Sequence, residues 1–230
     1  MTLPENLKIL AIVPARGGSK GIPLKNLAPF HGRPLIDYTL DCLCEIPEIN
    51  NVIVSSDSAT ILEYCSRRGF TTDYVRPPSL STDDAPVVLA LLDAYQWAQQ
   101  TWREDFSHIL MLQPTSPKRK AFHVRDFLRH LSDDAPRPMV SVSPLPQHPM
   151  ECVSIDSLGQ TWDYLVQPPR DKYGRQHYSG TYAFVNGALY AATPQFLSEH
   201  ETFLVPPLTA FYFMDHIYSL DIDTPEDLRG

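Results

Sequence analysis

Positive charge is in short supply in this chain: 19 lysines and arginines against 27 acidic residues leave it at a net charge of -8. A protein that coats nucleic acid needs the opposite balance, so that class of partner is excluded. Cysteine is sparse as well, with four residues at 42, 44, 65 and 152. None has the paired spacing of a zinc site, and Cys42 and Cys44 would point to different faces of a helix. With no histidine pair nearby, all four read as reduced packing residues rather than as ligands or disulfides. Long apolar runs are missing: nothing approaches the roughly eighteen residues of a membrane span. The opening MTLPENLKIL has neither the apolar core nor the small-residue cleavage site of a signal peptide. A cytoplasmic protein with no membrane partner is expected. Internal repeats and low-complexity tracts are absent too.

What is there reads as a single domain over 1–230, with a 43% hydrophobic share that can bury a real core. Short apolar runs alternate with amphipathic ones. KILAIVP (8–14), NVIVSS (51–56), TDYV (72–75), HILMLQ (108–113) and PMVSVSP (138–144) have the length and branched content of strands. Between them, 34–46, 58–68, 85–100 and 121–131 have helical apolar spacing, the first beginning with a proline where a helix tolerates one. This alternation predicts an α/β fold with a mostly parallel sheet and helices on both faces. The rhythm breaks at about Leu145. Part of an unusually large complement of 22 prolines falls between there and Tyr182, no ten-residue helix fits, and only short strands at 151–155 and 161–166 are expected. An excursion of this length inside a compact domain is usually functional, as a lid or an interface. FVNGALYAAT (184–193) then resumes the sheet, and a helix is expected to begin at TPEDL (224–228).

Three short segments carry candidate chemistry, and two of them follow predicted strands. Ligands of an open parallel sheet bind beyond the carboxyl ends of its strands; residues 16–26, 55–57, Arg76 and 113–116 all fall at that rim. Within AIVPARGGSKGIPLKNL (11–27), three glycines let the backbone approach a ligand while Arg16, Lys20 and Lys25 face an anion such as a polyphosphate. The spacing fits neither a P-loop nor G-x-G-x-x-G, and a solvated glycine-rich turn is the alternative. LQPTSP (112–117) offers neutral hydrogen-bonding groups to a polyol, or is simply a polar turn. In SLDIDT (219–224), Asp221 and Asp223 would share one side of a strand and could present two carboxylates to a hard cation such as magnesium; otherwise they cap the helix that follows.

Taken together these segments resemble the acylneuraminate cytidylyltransferases, the CMP-sialic acid synthetases. The family's A-R-x-x-S-K-G-x-x-x-K-N is matched by Ala15, Arg16, Ser19, Lys20, Gly21, Lys25 and Asn26. L-Q-P-T-S-P-x-R is matched by 112–117 with Arg119, R-P-x-x-L-(A/S)-x-D by RPPSLSTD (76–83), and S-I-D-I-D-T by SLDIDT. The resemblance implies a GT-A-like, Rossmann-type core and a magnesium-dependent reaction in which CTP and an acidic nine-carbon α-keto sugar give the CMP-sugar and pyrophosphate. It implies that Arg16, Ser19 and Lys25 hold the triphosphate, with Lys20 helping to neutralise it. Asn26, Arg76 and 81–83, with Thr82 at their centre, would read cytosine and ribose. Gln113, Thr115 and Ser116 would face the sugar. Asp221 and Asp223 would carry Mg2+, and Asp223 would also accept the proton of the attacking hydroxyl.

The 145–182 excursion matches the family's dimerisation segment, so a homodimer is implied. Residues 175–190 follow the family's R-Q-x-L-P-x-x-(F/Y)-R-P-N-G-A-I-Y with Arg175, Gln176, Asn186 and Gly187 in place. They depart from it in needing one extra residue, in lacking Leu-Pro, and in having Phe184-Val185 before Asn-Gly. Tyr182 and Phe184 would make the sugar pocket more aromatic, with Arg175 still available to a carboxylate. A legionaminic- or pseudaminic-type sugar is therefore as open as a sialic acid. The alternatives are a CMP-KDO-type synthetase, which lacks the opening spacing, and a CTP-binding sensor or scaffold without turnover.

Overall fold

A computed structural model describes residues 7–18, 21–131, 137–157, 159–167 and 180–229. Its centre is β1 (Ile9–Pro14), whose side chains are buried on both faces. Parallel pairing on both sides explains why this strand is a continuous apolar run rather than an alternating one. On one side lies β4 (Asn51–Ser55) and on the other β5 (His108–Met111), both parallel to it. Before β4 come a small antiparallel ribbon of β2 (Pro29–Phe30) and β3 (Arg33–Pro34), and helix α1 (Asp37–Cys44). Beyond β4 come α2 (Ala59–Arg67), α3 (Val87–Trp102), then β5, α4 (Ala121–Arg129) and β6 (Met139–Pro144). The excursion holds the hairpin β7 (Val153–Ile155) and β8 (Trp162–Tyr164). The chain returns as β9 (Ala183–Ala192), α5 (Pro194–His200) and β10 (Ala210–Phe213).

The main sheet runs β10-β6-β9-β5-β1-β4. Ile9, Ala11 and Val13 of β1 pack with Ile36, Leu40 and Leu43, with Ile61 and Cys65, and with Val124, Phe127 and Leu128, so α1, α2 and α4 cover one face. Leu10 and Ile12 pack with Val88, Leu91, Ala94 and Leu197, so α3 and α5 cover the other. The α/β architecture with helices on both faces is therefore as expected. A third, small cluster of Phe30, Leu35 and Ile222, with Tyr38 and Leu220, pins the closing segment to the β2–β3 ribbon.

Three elements differ from expectation, and a fourth takes a direction that the sequence left open. Residues 72–75 form no strand; the buried Tyr74 there donates its hydroxyl to Asp93 of α3 at 2.7 Å, so the segment packs on a helix instead of joining the sheet at β4. The first helix starts at Asp37, because Arg33 and Pro34 are taken into the ribbon. The strand after the excursion lies antiparallel to both β5 and β6. At the end, residues 219–224 form no strand and TPEDL no α-helix, only a 3-10 turn at Asp227–Arg229. There the Asp227 carboxylate accepts from the backbone N–H of Asp223 and Thr224 and from the Thr224 hydroxyl.

Candidate active site

β1 ends at Pro14, and the chain turns out of the sheet through Arg16 and Gly17. Gly17 must lack a side chain, since a Cβ there would lie 2.9 Å from that of Ser58. Its N–H donates to Asp57 Oδ1 at 2.8 Å, which ties the opening loop to the segment after β4. Ser19 and Lys20 lie outside the described residues. Leu24 then takes a left-handed conformation (φ 48°) immediately before the 3-10 turn Lys25–Leu27. A non-glycine residue rarely does so, and such strain concentrates at functional sites.

Arg16, Lys25, Asn26, Arg76, Thr82, Gln113 and Thr115 line one cleft of about 240 Å³ beyond the carboxyl ends of β1, β4 and β5. Residues from three separated stretches of sequence are thus brought together at one rim. Arg16 Nη2 pairs with Asp83 Oδ1 at 2.7 Å, which draws the opening loop toward 81–83. Asn26 is buried and donates from Nδ2 to the Arg16 carbonyl at 3.1 Å. Arg76 is buried too, and two of its donors are spent on Ser55, Nε on the hydroxyl at 3.0 Å and Nη2 on the carbonyl at 2.7 Å. Burial lowers its pKa, with Tyr74 and Asp57 acting in the opposite direction. Arg76 therefore braces the end of β4 as well as lining the cleft.

The closing segment reaches this rim without being a strand. Ile222 is buried against Phe30 and Leu35; its N–H donates to Thr115 O at 2.9 Å, and its carbonyl accepts from Lys25 Nζ at 2.9 Å. Asp221 and Asp223 flank that anchor in different surroundings. Asp223 keeps a side chain 70% exposed and bonds Lys25 Nζ through Oδ1 at 3.0 Å. Asp221 stays exposed but sets Oδ2 beside Gly187 of β9, where partial desolvation raises its carboxyl pKa; the Thr115 hydroxyl lowers it in part and the charge of Asp223 adds to the rise. Tyr190 of β9 is pushed up to about 12 by burial and by the charge of Asp221. The shared strand face expected for the two aspartates is replaced by a loop anchored at Ile222, with Asp221 set beside Gly187 and Asp223 on Lys25.

Gly187 of β9 has φ +76°, and a Cβ there would stand 3.2 Å from Gln113 Oε1, 3.4 Å from Asp221 Oδ2 and 3.5 Å from Ser116 Oγ. Three polar atoms thus converge on a position that only glycine leaves open. Ser116 is buried, and its hydroxyl has no partner among the described residues. Neighbouring Asn186 faces the other way: it accepts from the Ser141 hydroxyl at 2.6 Å and donates to Ser143 Oγ at 2.9 Å, inside the sheet. Tyr182 packs edge-on against His148 with ring centroids 4.8 Å apart, and Phe184 against His216 at 6.4 Å. Arg175 lies outside the described residues.

Hard oxygen donors with opposing charge at Asp221 and Asp223 suit magnesium, which takes one or two carboxylates and completes its shell with phosphate and water. No cluster of three or more acidic, histidine or cysteine ligands stands ready among the described residues. The sequence placed Asp57 at the rim and Asp83 in the 81–83 segment, but not the part each plays in fastening the cationic loop, Asp57 through the Gly17 N–H and Asp83 through Arg16. Their signal was position, since Asp57 follows β4 and Asp83 closes RPPSLSTD. None of the helices among the described residues is long and apolar enough to cross a membrane.

A family described as cytidylyltransferase matches residues 10–135. The chain is 33% identical over 223 residues to a CMP-N,N'-diacetyllegionaminic acid synthase of Legionella pneumophila, covering 96% of this chain and 93% of that protein. It is 32% identical over 224 residues to an N-acylneuraminate cytidylyltransferase of Streptococcus agalactiae, of which it spans 52%. It is 26% identical to a pseudaminic acid cytidylyltransferase of Campylobacter jejuni, covering 94% of it. Among solved structures, a CMP:2-keto-3-deoxy-manno-octonic acid synthetase complexed with CTP superposes with a TM-score of 0.71 at 15% identity, over 96% of this chain and 95% of the other. At that identity the likeness is one of fold.

Proposed function

The chain belongs to the cytidylyltransferase family, a group of nucleotidyltransferases, and we propose that it joins the CMP unit of CTP to a nine-carbon acidic α-keto sugar with release of pyrophosphate. The observation that carries this reading is the single cleft in which Arg16, Lys25, Asn26, Arg76, Thr82, Gln113 and Thr115 meet. Cations at one end suit a triphosphate, and neutral hydrogen-bonding groups at the other suit a polyol. The identity to proteins named for legionaminic, sialic and pseudaminic acids supports the sugar class.

In this reading Arg16 and Lys25, with Ser19 and Lys20, hold the triphosphate. Asn26, Arg76 and Thr82 face cytosine and ribose. Gln113, Thr115 and Ser116 face the sugar, with Tyr182, Phe184 and Arg175 completing its pocket. The sugar's anomeric hydroxyl attacks the α-phosphorus in line, the α–β phosphoanhydride breaks, and pyrophosphate leaves with the bonding electrons. The hydroxyl proton passes to a base, for which Asp223, an exposed carboxylate on the closing segment, is the candidate. The chain contributes positioning and charge stabilisation, since in-line transfer leaves little covalent work to protein groups. Magnesium, held at Asp221 and Asp223, would supply charge neutralisation and a lowered hydroxyl pKa when bound. Lys25 bridges the two halves of the site: one ammonium meets Ile222 O and Asp223 and lines the nucleotide cleft.

The test is pyrophosphate release from CTP and magnesium with N-acetylneuraminic, legionaminic, pseudaminic and KDO acids in parallel. Turnover with a nine-carbon acid is expected. Turnover with KDO alone would move the enzyme to the eight-carbon class, and CTP binding with silence across the panel would favour the sensor reading.

A further inference from the structure

The ladder between β5 and β9 stops short of the site. Ile109↔Ala192, Leu110↔Ala191 and Met111↔Tyr190 stand opposite one another, and the same register two residues on would oppose Gln113 to Ala188. Both of those carbonyls instead accept from one nitrogen: Arg119 Nη1 donates to Gln113 O at 3.0 Å and to Ala188 O at 2.8 Å. Its Nη2 donates to the Thr39 hydroxyl of α1. The guanidinium is 2% exposed and is met by neutral oxygens and by the Cys42 thiol, with burial lowering its pKa. Nε has no hydrogen-bond partner among the described residues. A buried cation with incomplete compensation is costly, and an apolar side chain of similar volume would often serve stability as well. What the arginine does that an apolar residue cannot is occupy two carbonyls that the ladder would otherwise use.

We propose that Arg119 is a positioning residue for the acceptor sugar: its guanidinium wedges the β5 and β9 ends apart and fixes the mouth between Gln113 and Gly187. The two carbonyls it holds belong to Gln113 itself and to the residue after Gly187. The Gln113 side chain and the open face of Gly187 are where Asp221 and Ser116 also converge. Thr39 ties the wedge to α1, so the opening is set by a helix as well as by the sheet. The proposal rests on the reading that Gln113 faces the sugar, and the experiment separates the two.

Steady-state kinetics of Arg119→Met, Arg119→Lys and Gln113→Ala would be measured on the full chain with CTP, magnesium and the panel sugar turned over fastest by the wild type. Arg119→Met should raise the sugar KM by about ten- to a hundredfold while the CTP KM and CTP affinity stay within about twofold of wild type. Arg119→Lys should lie between. Combining Arg119→Met with Gln113→Ala should be little worse than the stronger single change, because both act through one mouth. A folded Arg119→Met enzyme with the wild-type sugar KM, or with both KM values shifted alike, would overturn the proposal. If Arg119→Met does not fold, Arg119→Lys decides in the same way. An unchanged sugar KM in Gln113→Ala is a different failure, since it removes the sugar-site reading itself.

Discussion

Asp221 and Asp223 are two residues apart, yet they meet different partners, Asp221 beside Gly187 and Asp223 on Lys25, and this separates the consequences of changing them. The Asp223 side chain is 70% exposed and its ion pair is with Lys25; exposed pairs contribute between nothing and about 1 kcal/mol. Asp223→Ala should therefore leave stability within about 1 kcal/mol of wild type while turnover falls by about a hundredfold or more, the scale on which charge-stabilising groups act. Initial rates beside a denaturant titration check both halves, and a near-normal rate would remove Asp223 from metal and proton-acceptor roles together. At this scale much was legible in the sequence. Arg16, Lys25, Asn26, Arg76, Gln113 and Thr115 were named from position at predicted strand ends and Thr82 from the family motif, and the chain brings them to one cleft even though the strand expected before Arg76 does not form. Arg119 was legible only as part of a motif. Whether an arginine faces a ligand or is buried among carbonyls depends on the register of two strands distant in sequence, which no local pattern encodes.

At the N-terminus of α4, His123 Nδ1 accepts from the backbone N–H of Lys120 at 3.1 Å. That acceptor exists only while the ring is neutral at this nitrogen. Burial, with the charges of Arg119 and Lys120 adding to it, lowers the His123 pKa from 6.5 to about 4. The folded value is the lower one, so between these values the unfolded chain takes up the proton first. Stability attributable to His123 is present above pH 6.5, declines as pH falls toward 4, and declines no further below that. His123→Gln removes this titration. Melting temperatures followed from pH 7 to pH 4.5 should fall less steeply for the variant than for wild type, and identical slopes would show that His123 does not titrate in this way. The elements themselves were legible where the apolar pattern was strong, as a continuous run in β1 and as helical spacing in α3 and α4. They were not where partners decide. The 72–75 stretch has strand-like composition, but Tyr74 finds Asp93 on α3, and the direction of β9 depends on where the excursion returns the chain.

In the whole molecule, the β7–β8 hairpin is exposed throughout, with Ile155 at 63%, Trp162 at 61% and Leu165 at 62%. So much apolar surface on one small ribbon is what a subunit contact covers. A homodimer through this hairpin is accordingly proposed. Ile155→Asp combined with Trp162→Asp should convert it to a monomer in sedimentation velocity without lowering the melting temperature of the core; a dimer that survives both changes would place the contact elsewhere. The sequence marked the excursion by its prolines, but not its path, which depends on how both ends meet the sheet.

Those ends stand together. Because β9 runs against β6, Pro144 at the end of one faces Ala183 at the start of the other. A parallel connection would have to carry the chain across a face of the sheet and would owe its length to that distance. Here everything from 145 to 182 leaves and re-enters at a single rung, as a loop hung from one hook. Its length and sequence can change without disturbing the sheet, because closing a longer loop between fixed neighbours costs little. The fold thus separates two rates of change: a cleft fixed by the six-stranded sheet, and beside it a segment whose variation the sheet does not constrain.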